Sequence, residues 1–305
     1  MVVVGVIMGV LGGVEVGAQS NTLDLHLLNV STGARCLDGT PYGYYWRDSE
    51  PGYEGKFILE FNGGGWCYSF EDCVGRSKTA LGSSSHWSPS ISGEGITARD
   101  DSVAPGFSGF ALAYLYYCDG VSFASDLKEP LTANGSTLYF RGRSNWRAAI
   151  DDLVERHGLG DATEVLLSGH SAGGLATLMH ADAVEARLRE VAPRLTKFRA
   201  IADASFFLDY PDQSGKHTYG DNMRFIGNLT NATHNGNAAC EAAVADPTDC
   251  MFAQHIVPHI SADLMLVQST YDAWQLPNIV GITCAPLKTC SQADLDKIQT
   301  FHHTL

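Results

Sequence analysis

The sequence lacks the patterns that mark several large classes of protein. No run reaches the roughly 20 apolar residues of a membrane-spanning helix, because the longest apolar stretch, Val2 to Val14, is shorter and is interrupted by glycines. No phosphate-cradling loop, dinucleotide fingerprint or metal-ligand cluster is present, and no internal repeat occurs. We therefore expect no integral membrane association, and catalysis without a metal or a cofactor.

Positive charge is also scarce. The chain has 20 Lys and Arg against 34 Asp and Glu, a formal net charge of −14. A protein of this sign repels polyphosphate, so nucleic acid is excluded as the expected partner. The composition is that of a globular protein, because 45% of the 305 residues are hydrophobic and 18% are charged. This length and composition predict a single domain over residues 19–305.

The N-terminal stretch and the cysteines together indicate a secreted protein. Residues 1–18 resemble a removable signal peptide, although no basic residue precedes the apolar run, which leaves a buried N-terminal strand as the alternative. Eight cysteines without a C-x-x-C spacing favour disulfides over zinc. Four N-x-[ST] sequons begin at Asn29, Asn134, Asn228 and Asn231. These features predict a glycoprotein with an extracellular destination.

Apolar runs alternate with amphipathic segments, which predicts an α/β fold with a mostly parallel sheet flanked by helices. Lys56 to Phe61 and Phe110 to Tyr117 are predicted as buried strands. The segment from Tyr210 to Pro258 has no clear periodicity and is predicted as an inserted loop or cap. The other predicted elements are strands at Glu164 to Leu167, Phe198 to Ala202 and Asp263 to Val267, and helices at Asn145 to His157, Leu175 to Leu188 and from Ser291 onward.

The segment from Gly169 to Gly173 (GHSAG) fits G-x-S-x-G, the strand-to-helix turn that exposes a nucleophilic serine. A strand is predicted before it and a helix after it, as this motif requires. Ser171 is therefore the predicted nucleophile, and the alternative is a plain turn in which Ser171 caps the helix. In such sites the residue after the nucleophile, here Ala172, donates one N–H to the oxyanion.

A second oxyanion donor is expected on a glycine-rich loop after an early strand. The segment from Asn62 to Cys67 (NGGGWC) occupies that position. Its three glycines let backbone N–H groups approach a substrate oxygen, whereas the alternative is that they serve turn geometry alone.

The acid of a catalytic triad should follow a later strand, and Asp272 is in the expected place. Asp203 and Asp209 follow the intervening strand and are the alternatives. Only His302 and His303 come after Asp272, and both fall in a predicted helix rather than in a loop. The residues alone therefore predict a nucleophile and an acid but no base, without which a serine hydroxyl is a poor nucleophile.

Seven sequence blocks between residues 36 and 279, in the same order, resemble the pectin acetylesterase family, which also contains Notum, a lipid-removing carboxylesterase. The blocks are CLDGTPYGYYW, LEFNGGGWC, YCDGVSFASD, LYFRGRSNW, LLSGHSAGGLAT, ADASFFLD and TYDAWQLPNI. The resemblance implies an α/β-hydrolase-like serine esterase with nucleophile Ser171, acid Asp272 and oxyanion donors from Gly65, Trp66 and Ala172.

The resemblance also implies features outside these blocks. It implies a catalytic histidine in a loop at a position beyond Leu305, and hence a chain that is incomplete at its C-terminus. Together with spacing, it implies the disulfide pairs Cys36–Cys118, Cys67–Cys73 and Cys240–Cys250. The partners of Cys284 and Cys290 are left open, either with each other or with cysteines further along.

The expected reaction is removal of acetyl groups from cell-wall pectin through an acyl-enzyme, and the polysaccharide itself comes from the resemblance. Arg141 and Arg143, with Arg147 nearby, are candidates for binding a uronate carboxylate, although arginines on a solvated face are the commoner case. Two alternatives remain open: a Notum-like esterase for long acyl chains, and an inactive carbohydrate-binding relative that lacks the base. The sequence does not predict the oligomeric state.

Overall fold

A computed structural model describes residues 20–234, 236–284 and 286–305. The signal peptide predicted for residues 1–18 lies outside this part of the chain. The strands are β1 (Thr22–Leu27), β2 (Gly43–Arg47), β3 (Lys56–Phe61), β4 (Ser90–Ser92), β5 (Ala111–Leu115), β6 (Leu131–Ala133), β7 (Ser136–Leu138), β8 (Glu164–His170), β9 (Lys197–Asp203) and β10 (Leu264–Val267). The α-helices are α1 (Phe70–Arg76), α2 (Gly142–Arg156), α3 (Ala172–Val191), α4 (Thr218–Leu229), α5 (Ala238–Ala243), α6 (Ala253–Ile256) and α7 (Gln292–Thr304).

Eight of these strands form one sheet in the order β10-β9-β8-β3-β5-β2-β1-β4. From β10 to β5 all neighbours are parallel, whereas β2, β1 and β4 pair antiparallel. β6 and β7 form a separate hairpin. The mostly parallel α/β sheet predicted from the sequence is confirmed.

The parallel half of the sheet determines where a site can form. β3, β8, β9 and β10 run in the same direction, so the loops that follow them meet at one edge of the sheet. α3 follows β8 and packs against β8 and β9, burying Leu175, Leu178 and Leu188. The glycine-rich loop, the G-x-S-x-G turn and the loop that holds Asp272 are therefore neighbours because of topology.

The region predicted as an inserted loop or cap without clear periodicity, Tyr210 to Pro258, contains three α-helices and is therefore not an irregular loop throughout. α4, α5 and α6 lie within it. α4 buries Tyr219, Met223 and Ile226, which are spaced at helical intervals but separated by polar residues and glycines. The short antiparallel strands β1, β2 and β4 had no counterpart in the sequence prediction. The capped helix predicted from Ser291 is present as α7.

Four disulfides join Cys36 to Cys118, Cys67 to Cys73, Cys240 to Cys250 and Cys284 to Cys290. The first three are the pairs that the resemblance implies, and the fourth joins the two cysteines that were left open. The sequence separation is 82 residues for the first pair and 6, 10 and 6 residues for the others. Among the described helices, none has both the length and the apolar character needed to span a membrane.

Among the residues that the structure describes, none covers one face of the sheet around β9 and β10. Glu60, Ser168, Ile201 and Met265 are register partners on consecutive strands and so share this face. Cavities of about 540 and 440 Å³ lie on it. Met265 is 60% exposed and Val267 is 42% exposed, and β10 pairs only with β9 within the residues described. Glu60 itself is buried, and this burial, with a smaller contribution from the charge of Asp203, raises the pKa of its carboxyl to about 8.

Candidate active site

Ser171 sits at a strained turn between β8 and α3. Its φ of 58° and ψ of −124° are unusual for a residue with a side chain. The turn is held on both sides, because the Ser171 N–H donates to the Asp203 carbonyl at 2.9 Å and the Ser171 carbonyl accepts from the Leu175 N–H at 2.9 Å. The Ser171 residue is half-buried. This is the geometry of a nucleophile at a strand-to-helix elbow.

The glycines of the motif are required by close backbone approach. A Cβ on Gly169 would lie 2.2 Å from the Gly173 carbonyl oxygen, and a Cβ on Gly173 would lie 2.0 Å from the Phe61 carbonyl oxygen. Both distances are far shorter than any van der Waals contact. The G-x-S-x-G spacing therefore reflects the tight packing of α3 against β3 and β8.

The glycine-rich loop after β3 runs directly against this elbow. A Cβ on Gly63 would meet the His170 carbonyl oxygen at 2.4 Å and the Ser171 Cβ at 3.2 Å. Gly65 has a φ of 66°, in the left-handed region that favours glycine. Trp66, the next residue, is only 7% exposed. The structure thus brings the loop that carries two of the predicted oxyanion donors to the predicted nucleophile.

Ala172 supplies the third predicted donor and is tied to the same loop through a side chain that sequence reasoning missed. Ala172 is the first residue of α3, where backbone N–H groups have no partner within the helix. The Ser122 hydroxyl donates to the Ala172 carbonyl at 2.7 Å and accepts from the Trp66 indole N–H at 2.8 Å. Ser122 has a φ of 51°. It lies in the YCDGVSFASD block, whose composition alone did not indicate this contact.

The Trp66 indole is also part of an aromatic cluster, which we define as Trp66, Phe207, Tyr219 and Trp274. The ring centroid of Trp66 lies 4.9 Å from that of Phe207, 5.5 Å from that of Trp274 and 5.8 Å from that of Tyr219. Such edge-to-face contacts stabilise a rigid apolar surface. The cluster joins the glycine-rich loop to the segment after Asp272 and to α4.

Asp272 is 7% exposed, and three donors hold its carboxylate. Its Oδ1 accepts from the backbone N–H groups of Trp274 and Gln275, both at 2.8 Å, and its Oδ2 accepts from the Gln268 side-chain amide at 2.7 Å. A buried carboxylate fixed in this way has a defined orientation, as a triad acid requires. Among the described residues, no histidine hydrogen-bonds to Asp272 or to Ser171.

The alternative acids are engaged elsewhere. Asp203 lies 3.1 Å from the His170 Nδ1, and both side chains are at least half exposed. Asp209 lies 2.6 Å from the His217 Nδ1 and 2.6 Å from the Arg224 guanidinium. Asp272 is therefore the most buried of the three candidates, and the only one without a charged partner among the contacts described.

His302 and His303, the histidines that follow Asp272, lie in α7 as the sequence predicts. His302 stacks on Tyr271 with ring centroids 4.4 Å apart and planes 7° apart. Its Nδ1 is buried without a partner in the described structure. His303 is exposed. The base is not identified among these residues, and a histidine beyond Leu305 stays a prediction.

The structure places Arg141 and Arg143 at the N-terminal end of α2. Arg141 precedes α2, and its guanidinium donates to the Lys128 carbonyl. Arg143 lies near His180, whose pKa is lowered to about 3 by burial and, to a smaller extent, by the positive charge of Arg143. His180 is about 13 Å from Ser171 along the axis of α3. A uronate-binding role for these arginines stays a prediction that no described contact supports.

The described residues contain no group of three or more His, Cys, Asp or Glu side chains that could hold a metal ion. A sequence-family model described as pectinacetylesterase matches residues 16–305. The chain belongs to the pectinacetylesterase family. Pectin acetylesterase 5 of Arabidopsis thaliana is 32% identical over 295 residues, which is 93% of this chain and 67% of that protein. Pectin acetylesterase 11 of the same plant is 30% identical over 307 residues, covering 96% of this chain and 75% of that protein.

The pectinacetylesterase chain is also similar to Notum proteins. The palmitoleoyl-protein carboxylesterase NOTUM of Homo sapiens is 29% identical over 269 residues, covering 83% of this chain and 52% of that protein. The solved structure of the Wnt deacylase Notum from Drosophila matches with a TM-score of 0.82 at 23% identity, over 93% of this chain and 80% of that one. The structural match confirms the α/β-hydrolase-like fold. The relatives together place this pectinacetylesterase among the carboxylic ester hydrolases.

Proposed function

We propose that the protein is a secreted serine esterase that removes acetyl groups from a cell-wall pectic polysaccharide. The proposal takes its substrate from relatives named pectin acetylesterase, four of which are at least 30% identical over 81% or more of this chain. The single observation that carries the chemistry is the position of Ser171, at a positive-φ turn against the glycine-rich loop. Four disulfides agree with an extracellular, oxidising destination.

In the proposed mechanism, the Ser171 Oγ attacks the acetyl carbonyl carbon while its proton passes to a general base. The backbone N–H groups of Gly65, Trp66 and Ala172 stabilise the oxyanion of the tetrahedral intermediate. Collapse of the intermediate breaks the ester bond, and the sugar oxygen leaves with the proton from the base. Water then hydrolyses the acetyl-enzyme by the same steps and releases acetate. Asp272 is the residue proposed to orient the base.

The aromatic cluster favours a short acyl group over a long one. Phe207 is 2% exposed, Tyr219 is 3% exposed and Trp66 is 7% exposed, so these rings pack closely against one another next to the glycine-rich loop. An acetyl methyl needs only a shallow apolar surface, whereas a long acyl chain needs a deep apolar pocket. The palmitoleoyl substrate in the names of the Notum relatives is therefore the less supported alternative.

The proposal is tested by acetate release from acetylated pectin and by hydrolysis of p-nitrophenyl acetate against p-nitrophenyl octanoate. We expect preference for acetate, and loss of both activities in Ser171→Ala. Ser144→Ala is a matched control, because Ser144 is also half-buried but lies in α2, where its hydroxyl donates to Asp126. Marked preference for octanoate supports the Notum-like alternative instead. Pectin binding without hydrolysis, and without fluorophosphonate labelling of Ser171, supports a carbohydrate-binding protein.

A further inference from the structure

Arg76, the last residue of α1, contacts the glycine-rich loop through two backbone carbonyl groups of that loop. Its Nη1 donates to the Gly64 carbonyl at 3.0 Å and its Nη2 lies 3.4 Å from the Gly65 carbonyl, to which it also donates. Its Nε donates to the Leu81 carbonyl at 3.1 Å. One planar guanidinium thus holds three carbonyl groups, two of which belong to consecutive peptides of the loop.

These two contacts determine where the next two N–H groups point. In a planar trans peptide, the carbonyl of one residue and the N–H of the next point in opposite directions. Holding the Gly64 carbonyl toward Arg76 directs the Gly65 N–H away from it, and holding the Gly65 carbonyl does the same for the Trp66 N–H. Those N–H groups are two of the three proposed oxyanion donors.

The loop needs such a restraint because glycine peptides rotate easily. Gly64 and Gly65 have φ values of 145° and 66°, and glycine visits many other backbone conformations at little cost. Without a contact that selects one orientation, these peptide planes can turn so that a carbonyl oxygen, rather than an N–H, faces the nucleophile. A donor that turns away gives no stabilisation of the oxyanion.

Arg76 is itself held rigidly. The disulfide Cys67–Cys73 ties α1 to the end of the loop, and both sulfurs are fully buried. The Arg76 guanidinium also lies 4.9 Å from the centre of the Tyr117 ring, a distance at which the cation and the ring attract each other. The Tyr117 hydroxyl accepts from the Ser122 N–H at 2.8 Å. Arg76 is thus connected through Tyr117 to Ser122, whose hydroxyl links Ala172 to Trp66.

We propose that Arg76 is a positioning residue for the oxyanion hole, fixing the peptide planes that present the Gly65 and Trp66 N–H groups to the substrate. The inference rests on the proposed esterase function of Ser171. Because the guanidinium is a two-pronged donor and the lysine ammonium is a point charge, lysine replaces it only in part. The effect is expected on the chemical step rather than on substrate binding.

The test compares Arg76→Met and Arg76→Lys with Arg35→Met. Arg35 is a matched control, because its guanidinium donates to the Gly39 carbonyl at 3.0 Å and lies 5.6 Å over the Tyr139 ring, but neither partner belongs to the glycine-rich loop. We expect Arg76→Met to lower kcat for p-nitrophenyl acetate by about 100-fold, the scale of one lost oxyanion donor, with KM changed little. Arg76→Lys should fall between Arg76→Met and the unmodified protein, and Arg35→Met should retain its kcat.

Two further measurements separate positioning from general damage to the fold. A trifluoromethyl ketone that forms a tetrahedral adduct with serine should lose affinity in Arg76→Met by about the same factor as kcat/KM. Amide hydrogen exchange at Cys67, the last residue of the loop, whose N–H donates to the Gly120 carbonyl at 3.3 Å, should accelerate in Arg76→Met and not in Arg35→Met. The proposal is overturned if kcat is unchanged, if KM alone rises, or if exchange in the loop is unaltered. Failure of the proposed function has a different signature, in which Ser171→Ala hydrolyses the ester as fast as the unmodified protein.

Discussion

The disulfide Cys36–Cys118 is expected to stabilise the protein more than any of the shorter links. It joins residues 82 apart in sequence, whereas Cys67 and Cys73 are 6 apart. A cross-link stabilises chiefly by reducing the entropy of the unfolded chain, and this effect grows with the logarithm of loop length. Applied to the two separations, the relation gives about 4.5 kcal/mol for the long loop and about 2.2 kcal/mol for the short one at 25 °C.

The two links form a matched pair for experiment. Cys36, Cys67 and Cys73 are all 0% exposed and Cys118 is 1% exposed, so replacing either pair with alanine removes similar buried volume. The packing losses should therefore cancel in the comparison, and the loop-length difference of about 2.3 kcal/mol should remain.

The assay is urea unfolding of the double variants Cys36→Ala/Cys118→Ala and Cys67→Ala/Cys73→Ala, followed by tryptophan fluorescence. We expect the first variant to have the lower free energy of unfolding, by about 2 kcal/mol. Equal losses, or a larger loss for the short loop, would refute the entropic account of this link. The m-values need to agree between the variants for the comparison to hold, because a change in m signals an altered unfolded state.

Two further predictions concern packing and pH. Gly173→Ala should destabilise the protein by roughly 1–3 kcal/mol in urea unfolding, because its Cβ would lie 2.0 Å from the Phe61 carbonyl oxygen. The control Gly75→Ala should be neutral or stabilising, because a Cβ at Gly75 meets no atom within 4 Å. Similar losses of stability in both variants would contradict the steric argument. Burial raises the pKa of Glu60 from 4.5 to about 8, so the folded state favours the protonated carboxyl. The contribution of Glu60 to the free energy of unfolding is therefore complete below about pH 4.5 and is lost as the pH rises through about 8. Relative to Glu60→Gln, the unmodified protein should lose up to roughly 1.4 kcal/mol per pH unit over that range, and parallel stability curves for the two proteins would show that Glu60 is not the cause.

The parallel half of the fold and the elbow were accessible from the sequence because their signals are local. β3 and β8 each contain a short apolar run, Phe57 to Leu59 and Val165 to Leu167, which is typical of a buried strand. The glycines around Ser171 mark places where backbones approach within the length of a side chain. Because only glycine fits at such places, the residue type itself indicates the close packing.

Contacts between segments that are distant in sequence are not indicated by residue type in this way. Ser122 and Arg76 are ordinary polar residues in the sequence, and their contacts depend on loops that only the fold brings together. Over Tyr210 to Pro258 the cause is different, because Tyr219, Met223 and Ile226 of α4 do follow a helical spacing, but glycines and polar residues around them obscured it. Chain order made Asp272 the candidate acid, but the three donors that hold its carboxylate depend on how its own loop folds, which residue types alone do not indicate.

The open edge at β10 has a consequence for handling the protein. In the part of the chain that the structure describes, the outer side of β10 has no strand partner, so its backbone donors and acceptors beside exposed Met265 and Val267 make a template on which another chain can add a strand. Asp272 lies five residues beyond Val267, so the edge strand most prone to self-association leads directly into the loop that holds the proposed acid. Aggregation at high concentration would therefore distort that loop first, and activity would fall with concentration before any loss of secondary structure became visible.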